Sequence, residues 1–295
     1  MEALELLPIA SMTLLGAATA VRCRLFGQRW RQRRQQDGVQ WCGALQNLVM
    51  HLQRHRGLSS MWLNGDRSVG PRLHAEREQA NQHMYTLAQL PDDHLSAADV
   101  LPRAQWERFC ADWRALCAEL EQLDAADSIA RHTELISQAL NWLRAIGEAS
   151  LSAGPQDHGW VSALVDQLPA LSEALGQARA ISAGVAARGQ CTAVARVRLA
   201  YLASRIETLN GACRQALAAS QHSRLPGMRD GLARIDAGVQ RTLQCLASQL
   251  TGCAGANGAD CFGVCTEAID AVFALMSGLL AGARSAQPGA LPLAA

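Results

Sequence analysis

The sequence predicts an all-α protein, and three features of its composition support this. Alanine, leucine, glutamine, arginine and glutamate are abundant, and these residues favour helices over strands. Aromatic residues make up only 4% of the 295 positions, and there are 9 prolines. Hydrophobic residues reach 49%, enough for a sizeable core. We expect two antiparallel four-helix bundles that share long helices, with an N-terminal membrane-anchor helix.

The first segment, residues 1–21, is predicted to be a transmembrane or anchor helix. Residues 6–21 carry no charge, although this run is shorter than the about 20 residues that usually span a bilayer. Six arginines follow between positions 22 and 34, so the charge lies after the apolar run, in the reverse order to a secretory signal. The positive-inside rule then places the body in the cytoplasm, at the inner (cytoplasmic) membrane.

Two alternatives remain open for this terminus. It could be a surface helix that binds anionic lipid through its arginines, or an ordinary soluble terminus. With the anchor, residues 22–38 are expected to form a basic juxtamembrane linker, and the folded body is expected to begin at residue 39.

Hydrophobic periodicity and helix-breaking residues divide the body into helices. The first predicted helix has apolar positions at Leu45, Val49, Leu52 and Leu63, and the stretch GDRSVGP ends it. The predicted helices cover residues 39–64, 72–90, 106–123, 128–146, 160–188, 192–220, 227–250 and 262–283. Residues 285–295 are predicted to be a disordered tail.

Composition and motifs exclude several functions. Basic and acidic residues number 27 and 26, which argues against a nucleic-acid-binding body. The ten cysteines include no CxxC pair, so we expect reduced core thiols and no metal site. No nucleotide-binding, metalloprotease, esterase or kinase motif occurs, so we predict no catalytic residues, no cofactor and no enzyme activity.

Arg56 stands out because a charged side chain occupies the apolar stripe of the first body helix. At about 100° per residue, it lies about 20° from Leu45, among the leucines. An unpaired buried guanidinium costs several kcal/mol, so an anionic group should meet it. A carboxylate of another helix, a snorkelling geometry that reaches solvent, and a ligand anion all remain open.

The sequence around Arg56 resembles the opening helix of the NIT family, the nitrate- and nitrite-sensing domain. Residues 48–66 follow that family's LQxERGxSxxxL pattern, with His55 where the family usually has Glu. The matching positions are Leu52, Gln53, Arg56, Gly57, Ser59 and Leu63. A second stretch, residues 168–189, is similar to the family's later helix, with Gly176, Arg179 and Ala180 as its core.

The resemblance implies a sensor domain over residues 39–284 in which arginines of different helices clasp nitrate or nitrite. It implies Arg56, Arg179 and Ser59 as ligand-binding residues, although helical phase places Arg179 at the margin of its apolar stripe, where a solvated position is the alternative. We further expect an unknown downstream signalling protein as partner and a possible homodimer. The rival hypothesis is a membrane-tethered helical adaptor without a small ligand, in which Arg56 forms an internal ion pair.

Overall fold

The computed structural model describes residues 6–90, 100–151, 158–218, 227–251 and 258–285. For residues 6–21, 158, 258–260 and 285 it describes the backbone alone. The described residues are helices joined by short connections, which confirms the all-α class. The tail from residue 286 onward lies outside the described residues, as do the side chains of the predicted anchor.

The first helix, α1, spans Leu6–Leu63 without interruption. It therefore includes the backbone of residues 6–21 of the predicted anchor, the predicted linker and the first body helix. The helix therefore has no break at residue 39, and the domain boundary expected there remains a prediction. Residues 22–38 are rich in arginine and glutamine, which are good helix formers, and contain no proline.

The remaining helices follow the predicted order. They are α2 (Gly70–Ala88), α3 (Arg103–Glu119), α4 (Ala125–Leu151), α5 (His158–Ser162), α6 (Leu168–Arg188), α7 (Ala193–Ala218), α8 (Met228–Leu250) and α9 (Gly258–Ser285). A π-helical segment, Ala163–Gln167, joins α5 to α6. Gly189, with φ of 62°, ends α6 in the left-handed conformation that favours glycine.

The helix contacts fall into two sets. In the first set α1 packs against α2 and α4, and α3 packs against α4; in the second, α6, α7, α8 and α9 pack around one another. Contacts of α1 with α6 and α9 join the two sets. The arrangement as two four-helix bundles sharing long helices remains a prediction.

Helix α6 is the most enclosed part of the second set. Between positions 168 and 185, all residues except Ala170 and Gln177 are buried. Its neighbours α1, α7 and α9 surround it, so residues at the margin of its apolar stripe are also inside the protein. This enclosure decides the environment of Arg179.

Within the described side chains, one helical stretch has the length and composition to cross a membrane, Cys261–Arg284 of α9. Half of that window is buried inside the protein, where α9 packs on α6 and α8. A core helix of a soluble protein has the same properties. The anchor predicted for residues 1–21 remains a prediction.

Candidate functional site

Arg56 lies at the contact between α1 and α6 and is completely buried. Its Nη1 donates to Glu173 Oε1 at 2.6 Å, and its Nη2 donates to Glu173 Oε2 at 3.0 Å. Nη1 also donates to Thr133 Oγ1 on α4 at 3.0 Å. The buried guanidinium of Arg56 therefore forms a bidentate salt bridge with a carboxylate of another helix.

Glu173 is held by amide side chains as well. Gln53 Nε2 donates to its Oε2 at 3.1 Å, and Gln177 Nε2 donates to its Oε1 at 2.8 Å. Gln53 Nε2 also lies 3.3 Å from Ser172 Oγ. Four hydrogen bonds therefore fix one carboxylate between α1 and α6.

Arg179 is buried on the same helix as Glu173, but its partners are neutral. Its Nη2 donates to the backbone oxygen of Gln53 at 2.7 Å, and its Nη1 donates to Thr266 Oγ1 at 3.1 Å. Its guanidinium carbon lies 5.2 Å from the centroid of the Phe262 ring. Within the described part of the chain, no carboxylate pairs with Arg179.

Burial and the nearby charge of Arg56 lower the pKa of Arg179 to about 10. The group is still protonated at neutral pH. The site thus contains two buried guanidiniums and one carboxylate, so these three groups carry one surplus positive charge.

Two glycines allow each arginine to lie against the opposite helix. A Cβ on Gly176 of α6 would lie 2.5 Å from Arg56 Nη2, and a Cβ on Gly57 of α1 would lie 3.0 Å from Arg179 Nε. Any larger residue at either position would displace a guanidinium. The Arg-Gly pair on α1 and the Gly-x-x-Arg spacing on α6 are therefore two halves of one reciprocal contact.

A surface pocket of about 240 Å³ reaches the Arg179 side of this contact. Its charged residues are Arg54, Arg72, Arg179, Glu76 and Asp270. Arg54 bridges two of them, with Nη2 at 2.9 Å from Asp270 Oδ1 and Nη1 at 4.0 Å from Glu76 Oε1. The pocket therefore contains three basic and two acidic side chains.

The model of the NIT family, described as nitrate and nitrite sensing, matches residues 47–284 of the chain. The chain belongs to this family. The match lies within the predicted domain of residues 39–284 and confirms the family expected from the sequence. The function of the family is sensing rather than catalysis.

The fold of this NIT domain is similar to that of a solved structure described as the NasR transcription antiterminator. The TM-score is 0.67 at 20% sequence identity, over 92% of this chain and 74% of that chain. At this identity the likeness shows the fold alone. No curated protein matches the chain.

His55, at the position where the NIT pattern usually has Glu, faces α4 rather than the arginines. Its Nδ1 lies 2.8 Å from His132 Nε2, and His132 Nδ1 lies 2.6 Å from the Ser128 carbonyl oxygen. A carbonyl only accepts, so neutral His132 carries its proton on Nδ1 and accepts from His55. Trp113 packs edge-on against His55, with ring centroids 4.9 Å apart.

Burial lowers the pKa of His132 to about 3 and that of His55 well below 6.5. For His55, repulsion from a protonated His132 ring and from Arg77 adds to the effect of burial. For His132, the charge of Arg56 adds to it, and the hydrogen bond to the Ser128 carbonyl opposes it. Both rings are therefore neutral at physiological pH. Among the described residues, no cluster of His, Cys, Asp or Glu could hold a metal ion.

The structure brings two of the three predicted site residues together. Arg56 and Arg179 face the same helix contact, whereas Ser59 Oγ lies 3.3 Å from His55 Nδ1 and belongs to the histidine pair. Arg179 is 1% exposed, so the solvated alternative for it is wrong. Arg241, which helical phase places on an outer face, forms an exposed ion pair with Glu267 at 2.9 Å.

Sequence reasoning missed Glu173. Its signal was the same as that of Arg56, a charged residue within an apolar helical stretch, since it lies between Leu171 and Leu175. The opposite charges on two otherwise apolar helices would have suggested the pair. The contributions of Thr133 and Thr266 gave no comparable signal, because threonines on helices usually bond to the preceding turn.

Proposed function

We propose that this NIT domain binds nitrate or nitrite between α1 and α6, with Arg56 and Arg179 as the ligand-binding arginines. The surplus positive charge of the buried site carries this proposal. An uncompensated guanidinium inside a protein is costly, and a small anion would supply the missing negative charge.

The chemistry of the two groups suits a small oxyanion. Guanidiniums are planar and donate in parallel to planar groups with several oxygens, as the Glu173 carboxylate already illustrates at Arg56. Gly57 and Gly176 leave both arginines close to the opposite backbone, which keeps the space between the helices narrow. Ser59 hydrogen-bonds with His55 and with neither arginine, so we do not place it in direct contact with the ligand.

We propose that the domain transmits binding through α1 to a downstream signalling protein or to a second copy of the chain. Helix α1 is continuous from Leu6 to Leu63 and includes Arg56. A change at the contact with α6 can therefore reach residues 22–33 of α1, most of which are exposed, without crossing a loop. The coupling is limited by the difference in ligand affinity between the two arrangements.

We further propose that the N-terminal part of α1 tethers the domain to the inner membrane, with the body in the cytoplasm. Exposed apolar side chains lie among the arginines of this segment: Leu25 is 51% exposed, Phe26 73% and Trp30 44%. Aromatic and basic residues together are typical of helices at a membrane interface. The uncharged residues 6–21 precede them along the same helix.

Isothermal titration calorimetry of the full 295-residue chain with nitrate, nitrite and chloride tests the binding proposal. We expect binding of nitrate or nitrite and at least tenfold weaker binding by Arg179→Gln, a change of about 1.4 kcal/mol. Arg241→Gln is the matched control, because it removes the same charge from an exposed ion pair. Absence of heat with both oxyanions, or equal affinity of Arg179→Gln and wild type, would overturn the proposal.

One observation favours the rival function, a membrane-tethered adaptor without a small ligand. The Arg56–Glu173 pair satisfies Arg56 within the protein and links α1 to α6, as a purely structural contact would. Such an adaptor would show no anion binding. In that protein Arg179→Gln would change stability only.

A further inference from the structure

We infer that the Glu173 carboxylate is an internal anion that competes with the bound oxyanion for Arg56, and that its release is the event to which binding is coupled. The inference rests on the proposed function and concerns the regulation of the same site. It assigns to Glu173 control over the affinity and over the contact between α1 and α6.

The first step is the geometry at Arg56. The two carboxylate oxygens of Glu173 accept from Nη1 and Nη2, at 2.6 and 3.0 Å, as two oxygens of a planar oxyanion would. Nη1 also donates to Thr133. The end of the guanidinium is therefore already occupied, and an external anion can take this place only when Glu173 leaves it.

The second step is the difference in burial between the partners. The side chain of Arg56 is 0% exposed, whereas that of Glu173 is 11% exposed. Gln177, one turn along α6 and half-buried, already donates to Glu173 Oε1. The carboxylate can thus turn toward solvent and keep a hydrogen-bond partner, whereas Arg56 remains fixed against Gly176.

The third step is the consequence for the helices. Five polar contacts join this part of α1 to α6: the Arg56–Glu173 pair, Gln53 to Glu173, Gln53 to Ser172, Arg179 to the Gln53 carbonyl, and Ser60 to the Ala180 carbonyl. The first is a salt bridge between two charged side chains, so it is the strongest of these contacts. Release of Glu173 breaks its links to Arg56 and Gln53 and leaves the other three contacts, so fewer polar contacts hold α6 in place and it can shift relative to α1.

Two substitutions separate this competition from general electrostatics. Glu173→Gln removes the competing charge, and we expect nitrate to bind at least tenfold more tightly. Glu173→Asp keeps the charge but is one methylene shorter, so it cannot reach both nitrogens of Arg56. Competition predicts tighter binding for Glu173→Asp as well, whereas a general charge effect predicts no change and a scaffolding role predicts weaker binding.

The experiment is nitrate calorimetry on the full chain, with circular dichroism to verify folding of each variant. Glu267→Gln is the matched control, because it removes the same charge from the exposed pair with Arg241, and its affinity should equal that of wild type. Equal or weaker nitrate binding by either Glu173 variant would overturn the inference, whereas binding by wild type would still support the proposed function. Absence of binding by wild type and by both variants would overturn the function itself.

Discussion

Replacement of Gly176 by alanine tests whether close helix contact holds Arg56 in place. The new Cβ would lie 2.5 Å from Arg56 Nη2, whereas ordinary van der Waals contact begins at 3.4 Å. The guanidinium is the far end of a flexible side chain, but it is fully buried and bound by Glu173 and Thr133. It can therefore move only by giving up a hydrogen bond.

The expected change in the free energy of unfolding of Gly176→Ala is the balance of two opposing effects. Alanine stabilises a helix interior by about 1 kcal/mol relative to glycine. Loss of the charge-assisted bond from Arg56 Nη2 to Glu173, now 3.0 Å long, costs about 1.5–3 kcal/mol. The free energy of unfolding should therefore fall by about 0.5–2 kcal/mol, against the direction of helix propensity.

Two other glycines serve as graded controls in the same measurement. A Cβ on Gly57 would lie 3.0 Å from Arg179 Nε, so a shift of a few tenths of an ångström suffices and the net change should be close to zero. A Cβ on Gly211, which is exposed in the middle of α7, would meet nothing within 4 Å, and alanine there should stabilise by about 1 kcal/mol.

Urea unfolding followed by circular dichroism measures the stability of all three variants. If the slope of the unfolding free energy against urea concentration is the same for each, their stabilities can be compared directly. We expect Gly211→Ala to be the most stable and Gly176→Ala the least. The reasoning is refuted if Gly176→Ala is as stable as Gly211→Ala, because Arg56 would then have room that the structure does not give it.

Three further predictions concern His132, Ser59 and the apolar side chains in the N-terminal part of α1. The pKa of His132 is lowered from 6.5 to about 3, so between these pH values the unfolded chain binds a proton at this residue that the folded chain does not. The free energy of unfolding therefore has its full value above about pH 6.5. Below that pH it falls by up to about 1.4 kcal/mol per pH unit because of this residue. His132→Gln should make urea unfolding less dependent on pH between about 6 and 4, and an unchanged dependence would contradict the buried neutral ring. Ser59→Ala should change nitrate binding by less than about 1 kcal/mol in calorimetry, because Ser59 contacts His55 only through a neutral hydrogen bond; a loss as large as that of Arg179→Gln would place Ser59 in direct contact with the ligand. Phe26→Ser together with Trp30→Ser should reduce co-sedimentation with vesicles containing anionic lipid, since both apolar side chains are exposed beside arginines; unchanged sedimentation would leave residues 6–21 or the arginines as the attachment.

The sequence by itself determined the fold class, the order of the helices and the family. These depend on local information: helix-forming composition, the spacing of apolar residues, and the short pattern around Arg56 and Arg179. It also placed Arg56 on the apolar face of its helix, because helical phase alone puts the residue among Leu45, Leu52 and Leu63.

The tertiary structure decided what meets each buried charge. Glu173 is 117 positions from Arg56, and no local pattern shows that these two side chains share a contact. Helical phase also failed for Arg179, because α6 is enclosed on several sides and has hardly any solvated face. Periodicity describes one helix against one neighbour, whereas the burial of α6 and the reciprocal fit of Gly57 and Gly176 depend on several helices packed together.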